Sequence, residues 1–111
     1  MSTSVELSKK IFKKTLWEGE GAYWGVVDKV TERQVPAYSL VYLLDKLPVG
    51  IVLKKRKGSY SARPEGIWTY KMMGLDKYKK IPPQEASTPE DACGLLVLEL
   101  VKIGVVGKGS L

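Results

Sequence analysis

The sequence contains no histidine and a single cysteine, Cys93, among its 111 residues. A disulfide within the chain is therefore impossible, and a zinc site made of cysteine and histidine is excluded because the ligands are missing. Serine or cysteine nucleophiles that rely on a histidine base are excluded for the same reason. Cys93 lies in an apolar run, which predicts an inert, buried thiol. We expect neither a metal nor a cofactor.

Asparagine is also absent, and only two glutamines occur. Depletion of these thermolabile residues beside abundant lysine and glutamate is a tendency of thermophilic proteins, so we expect a thermophilic, cytoplasmic origin. Long apolar runs are missing as well. The longest, residues 95–106, is broken by two charged residues and a glycine and is too short to span a bilayer. Residues 1–17 lack the apolar segment of a signal peptide. These features predict a soluble protein without a membrane partner.

Positive charge is what the chain has in excess. Eighteen Lys and Arg face twelve Asp and Glu, which gives a formal net charge of +6. Such a surplus on a small domain favours anionic partners, above all nucleic acid phosphates or an acidic lipid surface. The acidic residues show no metal-ligand spacing, and no glycine-rich phosphate loop is present. We therefore expect a binding protein and not an enzyme.

Residues 4–17 show the periodicity of an amphipathic helix, with a capping box formed by Thr3 and Glu6. The face opposite the apolar stripe carries Lys9, Lys10, Lys13 and Lys14. This lysine face is typical of a solvated helix surface, and the alternative interpretation is a surface that faces phosphates.

Residues 22–33 predict a second, short helix, because Tyr23, Val26, Val27 and Val30 recur at helical spacing. A strand is the alternative, since valine is plentiful and a glycine in a helix costs about 1 kcal/mol relative to alanine. A third helix should begin near Pro36, whose fixed φ suits the first helical position. Its apolar stripe is Leu40, Leu43, Leu44 and Leu47.

Two runs rich in β-forming residues, 51–57 and 67–72, predict a hairpin with a nine-residue loop. Residues 88–103 then carry a clear helix start, with Thr88 as cap and Pro89 at the first helical position. This last helix is apolar nearly all round, which is typical of a helix buried in a core or shared with a partner. Strands over 22–30 and 95–103 remain an alternative.

Helix, helix, tight turn, helix and a ribbon with a basic tip is the order of elements in the winged helix-turn-helix DNA-binding superfamily. Residues 4–73 resemble that superfamily, with the leucine stripe leading through Pro48-Val49-Gly50 into Ile51-Val52-Leu53. The resemblance implies an α+β fold: a winged helix-turn-helix core of three helices plus a β-hairpin wing over 1–75. A linker over 76–88 would precede an additional apolar C-terminal helix over 89–111, which serves dimerisation or core packing.

The resemblance also implies that the third helix enters the major groove with its N-terminal residues nearest the bases. That helix start lacks the arginine, asparagine or glutamine side chains that read base pairs by two hydrogen bonds, which favours binding through phosphates and shape. We expect a non-enzymatic DNA-binding protein, a transcriptional regulator or DNA-organising factor, that binds duplex DNA as a homodimer.

The predicted interface joins that helix to the basic wing, which has no acidic residue between 54 and 63 and adds hydroxyl groups and a ring. Its nucleic-acid-binding residues are Tyr38, Ser39, Tyr42, Lys46, Lys54, Lys55, Arg56, Lys57, Ser59, Tyr60 and Arg63. The predicted dimer interface contains Leu96, Leu100 and Ile103. A charged ribbon has a simpler interpretation as well, because lysines protect an exposed edge strand from aggregation.

Two further functions are compatible with these patterns. The wing and its aromatic residues would also suit an RNA-binding or single-stranded DNA-binding protein of a ribonucleoprotein or replication complex, above all if 22–30 and 95–103 are strands. The third possibility is a basic protein-interaction module that meets an acidic partner and uses the apolar segment 95–106 for binding.

Overall fold

A computed structural model describes residues 2–47, 51–64 and 81–102. These residues form three helices and five strands in two small antiparallel sheets, which confirms the α+β class. The elements in chain order are α1 (Val5–Thr15), β1 (Tyr23–Asp28), β2 (Arg33–Pro36), α2 (Leu40–Lys46), β3 (Ile51–Arg56), β4 (Ser59–Pro64), β5 (Gln84–Ala86) and α3 (Pro89–Lys102). The first sheet pairs β1 with β2, and the second has the order β3-β4-β5.

The first predicted helix is present as α1, but its cap differs from the prediction. Ser4 is the N-cap, and its side chain accepts a hydrogen bond from the Leu7 amide at 3.3 Å. The capping box on Thr3 and Glu6 is therefore wrong. Thr3 is buried instead and shares a hydrogen bond of 2.5 Å with the Ser8 hydroxyl. A hydroxyl one position later does the capping because Ser4 has the extended backbone of a cap.

The helix predicted over residues 22–33 is wrong, because this segment forms most of the β1–β2 hairpin. The β-branched valines favour a strand. Gly25 has a φ of 74° and lies where the register of the pair is irregular, between Tyr23 and Val27. A turn follows, in which the Asp28 carboxylate accepts hydrogen bonds from the Thr31 amide at 3.1 Å and the Thr31 hydroxyl at 2.9 Å. The irregular register at Gly25 interrupts the alternation of side chains along β1, so that Tyr23, Val26 and Val27 also fit the spacing of a helix.

The third predicted helix begins at Leu40, not near Pro36, which is the last residue of β2. The α2 N-cap is Ser39, whose side chain accepts a hydrogen bond from the Tyr42 amide at 3.1 Å. Of its predicted apolar stripe, Leu43 and Leu47 are buried, whereas Leu44 is 40% exposed. The segment between α1 and α2 is thus a hairpin and not a second helix.

The predicted ribbon is present with a different second strand. β3 occupies most of 51–57, and its partner is β4 at Ser59–Pro64, so 58–66 is not a long loop. The run 67–72 lies outside the described residues. A two-residue turn joins the strands, and Gly58 takes a φ of 78° there with open space around it. Glycine adopts this left-handed conformation without the steric cost that a side chain would add.

The segment predicted as a linker contains β5, which pairs with β4 from Tyr60↔Ala86 to Ala62↔Gln84. The helix start predicted at 88–89 is confirmed: α3 begins at Pro89, and the Thr88 hydroxyl accepts a hydrogen bond from the Asp91 amide at 3.2 Å. The cap at Thr88 and the helix start at Pro89 depend only on residues next to them in the chain, so the sequence is enough to predict both.

The apolar helix α3 is the centre of the core. It contacts α1, α2 and all three strands of the second sheet. Its fully buried residues include Leu96 and Leu100, each with no exposed surface. The dimer interface predicted on these two leucines is therefore wrong for the described residues, because a single chain already covers them. Ile103, the third predicted interface residue, lies outside the described residues.

Helices α1 and α3 lie side by side and run in the same direction. Near their starts, the Ser4 amide donates a hydrogen bond of 2.7 Å to the Asp91 carboxylate. One turn later Gly94 faces α1, where a Cβ would lie 2.7 Å from Leu7 Cδ2 and 3.1 Å from Ile11 Cδ1. Glycine at this position lets the two helices approach closely, and the lysine face of α1 stays on the outside.

Candidate nucleic-acid interface

Positive charge is concentrated near the tip of the β3–β4 ribbon. All four consecutive cations predicted there are exposed, namely Lys54, Lys55, Arg56 and Lys57. Three of them belong to β3, where pairing with β4 holds the backbone extended, and the fourth lies in the turn. Neither strand contains an acidic residue. The ribbon therefore presents positive charge from a fixed scaffold.

The register divides these cations between two faces. Residues directly opposite each other in an antiparallel pair point to the same side, and neighbours along a strand alternate. The pairs Lys54↔Ser61, Arg56↔Ser59 and Val52↔Arg63 consequently place three cations on one side of the ribbon. We call Lys54, Arg56 and Arg63 the outer cations. The opposite side carries Leu53 and the fully buried Ala62, which belong to the core.

The remaining wing residues are less accessible than predicted. Ser59, Tyr60 and Arg63 are half-buried. Tyr60 packs against the core and lies opposite Lys55, so its ring is not a free stacking platform. The Arg63 guanidinium donates a hydrogen bond to the Pro64 carbonyl at 3.4 Å, which directs it along its own strand. The exposed positive charge is concentrated in β3 and the turn.

Tyr38, predicted to lie at the front of a recognition helix, is buried with no exposed surface. Its hydroxyl donates a hydrogen bond of 2.7 Å to the Trp17 carbonyl. Burial raises the pKa of the Tyr38 phenol well above its ordinary range, and the neighbouring Tyr42 raises it further. The prediction of Tyr38 as a nucleic-acid contact is wrong, because the side chain lies in the core before α2 begins.

The other residues predicted on this helix have internal partners. The Tyr42 ring stacks on Tyr38 at 5.6 Å and meets Trp17 edge-on at 6.3 Å, and burial raises the pKa of the Tyr42 phenol. The Lys46 ammonium lies 5.4 Å from the Tyr42 ring and 5.6 Å from the Trp17 ring. Ser39 caps α2. These contacts stabilise an aromatic cluster, and they leave the ribbon as the exposed part of the predicted interface.

A second basic surface surrounds α1, and the sequence pattern revealed only part of it. The predicted lysine face of α1 is exposed as expected. The fold adds Lys29 from the β1–β2 turn and Lys102 from the end of α3, which line grooves on either side of α1. These two lysines were missed because they are distant in sequence. The Asp28–Thr31 turn signal would have placed Lys29 at a hairpin tip if residues 22–33 had been interpreted as strands.

Within the described residues, no group of three or more acidic or cysteine side chains is arranged to hold a metal ion. No helix in that part of the chain has the length and apolar character needed to cross a membrane. Comparison of the chain with protein-family models, curated proteins and solved structures gives no match.

Proposed function

We propose that the chain is a non-enzymatic DNA-binding protein, a regulator or DNA-organising factor, that contacts duplex DNA through the β3–β4 ribbon. The observation that carries the proposal is the exposure of four consecutive cations, residues 54–57, on a paired ribbon without acidic residues. In this proposal the ribbon contacts DNA as the predicted wing would, and α2 does not act as a recognition helix.

The shape and charge of the ribbon favour duplex DNA. Strands of a β-sheet can lie in a groove of DNA, and cations on β3, the edge strand of its sheet, would reach the phosphates beside that groove. Contacts to phosphates position a protein without reading sequence, and the described residues offer no exposed asparagine beside these cations because the chain contains none. The expected binding is consequently salt-dependent and weakly selective for sequence.

Fluorescence anisotropy titrations of labelled duplex DNA at several salt concentrations test this proposal. The logarithm of the binding constant falls by about 0.9 per tenfold rise in salt for each phosphate neutralised. Changing two outer cations together, Lys54→Gln and Arg56→Gln, should therefore weaken binding at low salt. It should also reduce the steepness of the plot of log binding constant against log salt concentration by about 2. Both side chains are exposed, so thermal stability should stay unchanged.

The matched control removes the same charge from α1, by Lys10→Gln with Lys13→Gln. Equal losses of DNA affinity in both variants would show attraction by net charge and would contradict a ribbon interface. Stronger binding to single-stranded DNA or structured RNA than to the duplex would contradict duplex recognition. Undiminished DNA binding by the ribbon variant would leave these cations with the role of protecting an edge strand.

A further inference from the structure

The exposed side of α1 lies between two grooves that combine apolar floors with lysine rims. The first groove, of about 440 Å³, separates α1 from the β1–β2 hairpin and has Val26, Val27, Val30 and Val35 among its lining residues. The second, of about 630 Å³, separates α1 from the end of α3 and contains Leu98 and Val101. Lys10 and Lys13 line both grooves, so the two grooves share one rim.

Two valines of the first groove are unusually accessible for apolar side chains. Val27 is 55% exposed and Val30 is 79% exposed. Single exposed apolar residues are ordinary on protein surfaces, but a contiguous apolar set beside a cleft is typical of an interaction site. The Trp24 ring of the same hairpin is 40% exposed, and its nitrogen donates a hydrogen bond of 3.0 Å to the Ser8 hydroxyl of α1. This bond ties the hairpin to α1.

The charge around the grooves is mainly positive. Within the described part of the chain, six lysines line them, from α1, the hairpin tip and the end of α3: Lys9, Lys10, Lys13, Lys14, Lys29 and Lys102. The acidic lining residues are Glu6, which pairs with Lys9 at 3.7 Å, and Asp28, which is hydrogen-bonded within its own turn. None of the described residues that line the second groove is acidic. Among the described residues, no salt bridge neutralises the other five lysines.

We propose that these two grooves form a docking surface for an acidic, apolar segment of a partner protein, in which acidic residues contact the lysine rim and apolar side chains enter the grooves. Charge complementarity selects an anionic partner, and the apolar side chains that line the grooves select one that also carries apolar side chains. A nucleic acid backbone would use the lysines and leave the apolar floors empty. A flat lipid surface would not reach into two clefts on either side of a helix.

A synthetic helix of leucine and glutamate is the probe that tests this surface by fluorescence anisotropy. Two variants separate its parts: Lys10→Gln with Lys13→Gln removes rim charge, and Val27→Ser with Val30→Ser removes the exposed apolar floor. Each pair should weaken binding of the probe about tenfold, which corresponds to about 1.4 kcal/mol. All four side chains are exposed, so circular dichroism should show the parent fold, and the melting temperature should fall only by the small cost of losing a β-branched residue at Val27.

Matched controls make the outcome decisive. Val41→Ser removes a valine that is 65% exposed on α2, outside both grooves, and should leave probe binding unchanged. Probes with glutamine for glutamate, or alanine for leucine, should bind weakly, since each lacks one half of the recognition chemistry. The ribbon variant with Lys54→Gln and Arg56→Gln should bind the leucine–glutamate probe normally, which separates this proposal from the DNA-binding one.

Three outcomes would overturn the proposal. The first is equal binding of the alanine–glutamate probe, which would show attraction by charge alone. The second is binding that the valine changes leave intact. The third is binding of duplex DNA, or of phosphatidylglycerol vesicles, that depends on Lys10 and Lys13 when the leucine–glutamate probe does not bind.

Discussion

Cys93 shows how one buried side chain links stability to pH. It has no exposed surface, and burial, with a smaller effect of the Glu90 carboxylate, raises the pKa of its thiol from about 9 to about 11. The unfolded chain therefore releases this proton at lower pH than the folded chain. Since the folded state then holds more protons, the free energy of unfolding should fall as pH rises from about 9 to about 11.

Urea denaturation between pH 7 and pH 11 measures this dependence, with Cys93→Ala as the control. The variant should be less stable at pH 7 because a buried sulfur is lost, and its stability should fall less steeply above pH 9. Any decline that remains in Cys93→Ala includes the buried Tyr38 phenol, whose pKa is also raised. Identical slopes in the two chains would show that the thiol does not contribute.

At the scale of single residues, the sequence predicted roles better where the cause was local. The buried thiol of Cys93 and the cap at Thr88 follow from their immediate neighbours, and both are confirmed. The position of Tyr38 after Pro36 predicts an exposed helix start, yet its ring is buried and stacks on Tyr42 of α2. No neighbour along the chain reveals that burial, since the Trp17 carbonyl that binds its hydroxyl is 21 residues away.

At the scale of elements, the close approach of α1 and α3 depends on Gly94. Gly94→Ala should lower the free energy of unfolding by about 1 kcal/mol. Overpacking a core costs about 1–3 kcal/mol, and the better helix propensity of alanine offsets about 1 kcal/mol of it. The new Cβ would lie 2.7 Å from Leu7 Cδ2, so Leu7 or the helix itself must shift. Chemical denaturation of both chains measures the difference.

A double-mutant cycle with Leu7→Val identifies the contact responsible. Valine lacks the outer methyl groups of leucine, so the two changes together should cost less than the sum of the single changes. Strictly additive costs would place the strain of Gly94→Ala elsewhere. A variant more stable than the parent would show that the two helices have room to separate and that helix propensity dominates.

The elements predicted correctly are those with end signals or a complete period. α1 has an unbroken amphipathic pattern, and α3 has Thr88 and Pro89 at its start. The β1–β2 hairpin was predicted as a helix because its bulge at Gly25 spaces the valines irregularly. The serines of β4 and the glycine before it are typical of a loop. Pairing with β3 and β5 supplies the hydrogen bonds that its own composition does not indicate.

At the scale of the whole molecule, α3 decides how the chain is organised. Leu96→Ala should lower the free energy of unfolding by about 2–5 kcal/mol, the usual cost of a large cavity in a core. Leu44→Ala is the matched control, because this leucine is 40% exposed on α2 and should cost much less. Thermal or urea denaturation compares both variants with the parent chain.

Sedimentation at several concentrations completes this test. If Leu96 is a core residue of a single chain, Leu96→Ala should change stability without changing the molar mass. A folded, equally stable variant that dissociates from dimer to monomer would restore the dimer interface predicted from the apolar helix. A stability of the parent chain that rises with protein concentration would also support the predicted dimer interface.

The whole molecule also separates the two basic surfaces. The ribbon belongs to the sheet that packs on α3, whereas the grooves lie around α1, which packs on α3 and β2. The two pairs of cation changes, one in each surface, therefore form a crossed comparison. Ribbon changes should affect DNA binding alone, and α1 changes should affect binding of the acidic apolar probe alone.

The sequence by itself determined the α+β class, the positions of α1 and α3, the basic ribbon tip and the exclusion of histidine-dependent chemistry. These follow from composition, from periodicity within one element and from capping residues, all of which act over a few positions. Tertiary structure alone decided that Leu96 and Leu100 face the core, that Tyr38 is covered and that Lys29 and Lys102 join the α1 lysines. Which residues are buried depends on contacts between segments far apart along the chain, and an apolar helix has the same pattern whether its own chain or a second one covers it.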